Sequence, residues 1–157
     1  MIGKDDKMKR IVIVAIVAMA AVFLVACGPR EMRSAEEFRV LMEGEGHSVR
    51  DITDLFDDDT VESHLIADLG DFEVEFIVFM GEVHARRLFN HFKSEFMAGS
   101  GSGASRREVS GNNFSRFIQT TDGRFEAISQ IDNTLAIIVT TSDNRSGAEA
   151  ALGIFGY

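Results

Sequence analysis

The chain has 157 residues, 45% of them hydrophobic and 26% charged, with 25 Asp and Glu against 16 Lys and Arg for a net charge of −9. That length holds one domain, and an acidic balance of this size disfavours nucleic acid as a partner. One cysteine excludes an internal disulfide, so the fold must be held by packing.

Residues 1–26 read as a signal peptide that is removed and takes no part in the fold. Lys4, Lys7, Lys9 and Arg10 make a basic start, diluted by Asp5 and Asp6. Residues 11–26, IVIVAIVAMAAVFLVA, then give 16 apolar positions without a charge or a glycine. The run is long for a signal-peptide core and short of the roughly 20 residues that span a bilayer. Leu24-Val25-Ala26-Cys27 resembles the lipobox of bacterial lipoproteins. The resemblance implies that Cys27 is lipidated, that a signal peptidase cuts between Ala26 and Cys27, and that the protein sits on the extracytoplasmic face of the cell membrane. The competing reading is an ordinary buried cysteine at the end of an uncleaved anchor. At about 0.8 kcal/mol per buried CH₂, two acyl chains would make attachment effectively permanent.

Loss of the leader removes four basic and two acidic residues, so −9 becomes −11, and twelve of the thirteen Phe remain. Residues 27–33 form a short tether, in which Arg30 and Arg33 are expected to face lipid headgroups. Residues 34–157 are expected to form a single α+β domain. Ser34-Ala35-Glu36-Glu37 is a capping box that opens a helix through Phe38, Leu41 and Met42, ended by Gly44 and Gly46. HSVRDIT is a short strand candidate, and DLFDDDTVE an acidic connection with room for one helical turn. HLIADL and FEVEFIVFM read as a hairpin around Gly70-Asp71, with Phe72, Val74, Phe76, Val78 and Met80 alternating with Glu73 and Glu75. Over residues 82–97 the period becomes helical, with Ala85, Leu88, Phe89, Phe92 and Phe96 as the buried stripe.

AGSGSGASRREVSG reads as a flexible connection, so the adjacent basic pair Arg106-Arg107 is expected in a loop. Three strands then form a meander over 113–121, 124–131 and 134–141, with tight turns at Asp122-Gly123 and Asp132-Asn133. LAIIV is apolar on both faces, which predicts a central strand. Ser146-Gly147-Ala148-Glu149 reads as a second capping box opening a last helix through Ala151, Leu152 and Phe155, and Tyr157 is expected against the sheet. The predicted architecture is a mostly antiparallel sheet with helices packed on one face. The similar texture of LIADLGDFEVEF and FIQTTDGRFEAI would fit a duplicated helix-plus-hairpins unit. The chain resembles small exported lipoproteins of Gram-positive gut bacteria in its lipobox, its SAEEF helix start, its IDNTL turn and its terminal GY, a likeness that carries no activity with it. Helix-plus-sheet lipoprotein domains also resemble the β-lactamase inhibitory protein fold, in architecture alone.

No catalytic constellation stands out. His84, His91 and Glu95 share one side of the second helix and, with His47 or His64, would offer metal ligands, but two histidines two turns apart lie about 10 Å from each other, too far to share one ion readily. Asp57-Asp58-Asp59 with Asp54 and Glu62 fails the calcium-loop pattern and reads as solvated acid. Gly99, Gly101 and Gly103 follow a helix and lack a Gly-Lys-Ser/Thr sequence, and Ser102 sits in only part of a nucleophile elbow. No metal and no cofactor is therefore expected. The favoured class is a non-enzymatic binding module for a protein or small molecule, with Arg116, Gln119, Glu126 and Gln130 of the meander as its exposed surface. An envelope-maintenance role and a surface hydrolase are the alternatives. A pocket lined by His84 or His91 and several carboxylates would raise the hydrolase, and a flat sheet would favour binding.

Overall fold

The capping box predicted at Ser34 is formed. Ser34 Oγ accepts from Glu37 N at 3.2 Å and Glu37 Oε2 accepts from Ser34 N at 2.8 Å, so α1 (Ala35–Gly44) starts with two of its free amides satisfied. The computed structural model describes residues 30–157 except 56, 57 and 102. The signal peptide, the lipobox with Cys27, Asp57 and Ser102 lie outside the described residues.

After α1 come β1 (Ser48–Asp51), a 3₁₀ turn (Thr53–Leu55), β2 (Val61–Asp68), β3 (Glu73–Phe79) and α2 (Glu82–Ala98). The second half holds β4 (Ser105–Ser110), β5 (Phe114–Thr121), β6 (Arg124–Ile131), β7 (Thr134–Thr141), a 3₁₀ turn (Ser142–Asn144) and α3 (Arg145–Ile154). The seven strands form one sheet in the order β1-β2-β3-β7-β6-β5-β4, with each neighbouring pair antiparallel. Each half of the chain is a helix followed by a meander running from a sheet edge to its centre, and the halves meet at β3–β7. LAIIV lies in β7, the fourth strand of the order, which accounts for its two apolar faces. Gly123 (φ 84°) and Asp132 (φ 48°) take the left-handed conformations that the two tight turns require.

Alternation along β3 divides the core in two. Val74, Phe76 and Val78 face α1 and α3, while Ile77 and Phe79 face α2. Phe38 stacks on Phe76 with ring centres 4.5 Å apart and lies 4.9 Å from Phe155, tying α1 to the sheet and to the C-terminus. Tyr157 packs as expected, edge-on to Phe76 and with its hydroxyl bonded to Thr134. On the other face Ala85, Phe89 and Phe96 of α2 cover Ile128, Leu135 and Ile137. The fold is α+β as expected, with helices on both faces: α1 and α3 share one, and α2 crosses the other. This arrangement argues against duplication. A two-fold rotation exchanging the antiparallel β3 and β7 runs normal to the sheet and would leave α1 and α2 on the same face.

Three local readings change. The expected linker contains β4, an edge strand exposed along its whole length. Its pairing with β5 specifies it, because a strand wet on both faces shows no alternation to read. Arg106 and Arg107 therefore point to opposite faces of a strand. The second capping box does not form: the 3₁₀ turn runs straight into α3, Ser146 is already inside the helix, and Glu149 pairs with Arg145 at 2.9 Å. The tether is also shorter than residues 27–33. Arg30 and Arg33 are docked, donating to Gly156 O (2.9 Å) and Phe155 O (3.3 Å) respectively. Among the described residues no helix is long and apolar enough to cross a membrane.

Candidate functional site

A single helix cannot cover one face of a seven-stranded sheet. α2 lies over β6, β3, β7 and β5, and β2 emerges beside it. In the angle between α2 and the β2–β3 pair is a pocket of about 350 Å³. Its floor is built from cross-strand partners, Val61 opposite Phe79 and His64 opposite Ile77. Val61 and His64 are three residues apart and would face opposite sides of a regular strand. A register shift between Val61 and Ser63 inserts one extra residue and turns both toward α2. Leu88 adds apolar surface from the helix, and His84, Arg87 and His91 line the pocket from the same side.

Asp58 closes the pocket from the loop before β2. Its Oδ1 accepts from Thr60 N at 2.9 Å and from Thr60 Oγ1 at 2.7 Å. These two bonds, with help from His84 and Arg87, hold its carboxyl below the ordinary value of 3.8. The rim therefore sets a fixed anion against the guanidinium of Arg87 and the imidazole of His84. Deeper in, His64 is 2% exposed and its Nε2 lies 3.2 Å from Glu75 Oε2. Its backbone N–H donates to Thr53 Oγ1 at 2.8 Å, and Thr53 is anchored on Asp51, so the 3₁₀ turn fixes the histidine's place. The same bonds from Thr53 hold the Asp51 carboxyl below its ordinary value.

His64, His84 and His91, three of the histidines weighed as metal ligands, thus meet in one pocket. His47 does not line it, and Glu95 turns to His91 at 3.5 Å. Among the described residues no group of three or more His, Cys, Asp or Glu is placed to hold a metal ion. Asp58 is exposed in the acidic loop as expected, and its bonds to Thr60 also fix it at the pocket rim. The bulge at Glu62 is the part of the site the sequence concealed, since Val61 and Glu62 read as the end of an acidic connection and the strand as starting at His64.

The surface expected on the meander is not there. Gln119, Glu126 and Gln130 are buried beneath α2 at 0%, 5% and 4% exposure, and Arg116 lies on the opposite face beside Ser129. Gln119 Nε2 donates to Phe96 O at 2.7 Å and to Glu126 Oε2 at 2.9 Å, its Oε1 accepts from Arg106 Nε at 2.8 Å, and Arg124 pairs with Glu126 Oε1 at 3.0 Å. The polar alternation of the meander serves a closed network that fastens the end of α2 to the sheet.

No known family model, curated protein or solved structure matches the chain.

Proposed function

We propose that the chain is a lipid-anchored, extracytoplasmic binding module whose ligand site is the α2–β2–β3 pocket. The observation that carries this reading is the construction of the pocket: an apolar floor of Val61, Ile77, Phe79 and Leu88 under a polar rim of His84, His91, Arg87 and Asp58. At about 350 Å³ it falls at the small end of the 300–1,000 Å³ common for ligand sites. Such a site suits a small molecule with an apolar body and a polar head. The α2 face is not pocket-free, and His84 and His91 do line the pocket, but with Asp58 as its one carboxylate it lacks the several acids that a hydrolase reading asks for. Binding therefore remains the stronger reading, and the lipobox resemblance supports a position on the extracytoplasmic face of the cell membrane.

The test is native mass spectrometry of the protein purified from its own membrane, compared with His91→Trp. The indole is added from an exposed helix position and fills the pocket without entering the core. A small molecule retained by the unaltered protein and lost from the variant supports the site. Equal retention by both would refute it.

A further inference from the structure

Three arginines remote in sequence meet at the β4–β5 edge, on the face that carries α1 and α3. Arg107 pairs with Ile118, and Arg116 with Val109, which places the two arginines diagonally across the strands at about 7–8 Å. Arg30 arrives from the N-terminal side and is fixed there. Its N–H donates to Asn113 Oδ1 at 3.0 Å, its carbonyl accepts from Asn113 Nδ2 at 2.7 Å, and its guanidinium lies 4.2 Å from the centre of the Phe114 ring. With Val109 and Ile118 the three arginines line a cavity of about 90 Å³, roughly the liquid volume of three waters.

Among the described residues no carboxylate forms an ion pair with any of the three guanidinium groups. Arg116 donates through Nε to Ser129 Oγ at 3.1 Å, while its Nη2 is buried and has no hydrogen-bond partner among the described residues. Burial first, then the nearby Arg30 and Arg107, pull its guanidinium down to about 10, so it stays cationic at neutral pH. Glu149 is the carboxylate acting on it, and Glu149 is itself engaged by Arg145 at 2.9 Å. Three like charges around a small cavity, with a buried donor held open, match a compact oxyanion that accepts several charge-assisted bonds at once.

We propose that Arg30, Arg107 and Arg116 form a binding site for one phosphate group, supplied by a lipid headgroup. The source follows from chain length. Arg30 is three residues beyond Cys27, a reach of at most about 11 Å, so an acylated Cys27 would hold the cluster at the headgroup layer. The choice of source rests on the lipid-anchor reading, whereas phosphate recognition does not.

The full chain, purified in neutral detergent, is titrated with inorganic phosphate and with soluble short-chain phosphatidylglycerol while the arginine Nε–H resonances are followed by NMR. Both ligands should give saturable shifts, the lipid binding more tightly. Arg107→Gln, at an exposed edge position that keeps the fold, and Arg116→Gln should each weaken binding about tenfold or more. No saturable shift with either ligand, or no loss in either variant, would overturn the site. Inorganic phosphate binding as tightly as the lipid would overturn the lipid as its source. An N-terminal peptide mass without acyl groups would overturn the anchor, and with it the source, independently of the phosphate titration.

Discussion

Gln119→Leu separates the two ways of reading the meander. If Gln119 were on an open surface, the change would move stability by less than about 0.5 kcal/mol. In the structure it removes one neutral bond, to Phe96 O, and two bonds to charged partners, Glu126 and Arg106. A neutral bond contributes about 1 kcal/mol and a charged one about 1.5–3 kcal/mol. Arg106 is exposed and regains water, which discounts its share, so the expected loss is about 3–5 kcal/mol, most of it from leaving Glu126 Oε2 and a helix-end carbonyl without a donor. Urea denaturation should show a lower midpoint with an unchanged slope. Adding Glu126→Leu removes the stranded carboxylate, so the double variant should fall short of the summed single losses by about 1–3 kcal/mol. A loss under about 1 kcal/mol for Gln119→Leu, or strict additivity in the double variant, would refute the network.

Asn113→Ala should free Arg30 from the domain. Two half-buried bonds to the Arg30 backbone and one to Asp132 Oδ2 at 3.1 Å are lost, for about 1–3 kcal/mol, and amide exchange at Arg30 should accelerate while the α1 amides stay protected. Acid should weaken the fold through Glu37, Asp51 and Asp58, whose carboxyls are all held below their ordinary values of 4.5, 3.8 and 3.8, chiefly by hydrogen bonds from Ser34, Thr53 and Thr60. A depressed folded value means the stabilisation is complete above the unfolded value and is lost as pH falls through the folded one, so the decline should begin near pH 4.5 and continue downward. Thr60→Val should return the Asp58 titration toward 3.8, measured by carboxyl NMR, and no movement would disprove the Thr60 account.

What was legible in the sequence depended on whether the signal was local. The Ser34 capping box, the turns at Gly70, Gly123 and Asp132, and the stripe from Ala85 to Phe96 are short-range patterns with one physical solution each. β4 was hidden because an edge strand exposed on both sides carries no hydrophobic period, and its partner β5 supplies the order. The polar meander misled for a different reason. Alternating Gln119, Glu126 and Gln130 reads as a wet face, and only the path of α2 across β5 and β6 buries it and joins Gln119 to Glu126 and Phe96. The candidate site was half visible: its histidines could be named, but a bulge decides that Val61 and His64 look the same way. The arginine cluster joins positions 30, 107 and 116, which no window of sequence brings together.

The two sites divide the molecule. The histidine pocket lies over β2–β3 on the α2 face, and the arginine cluster over β4–β5 on the other. Four strand spacings separate them along the sheet, about 19 Å at roughly 4.8 Å each. If Cys27 is the anchor, the cluster and the C-terminal Gly156 that Arg30 also holds define the side toward the bilayer. The pocket then opens from the opposite face and the opposite half of the sheet, clear of the headgroups. Docking of Arg30 matters for this, because a domain on a free seven-residue tether could present any face outward, whereas one fixed three residues from its anchor cannot. Asp58 lies at the pocket rim, so with Cys27 as anchor that carboxylate is held away from an anionic membrane.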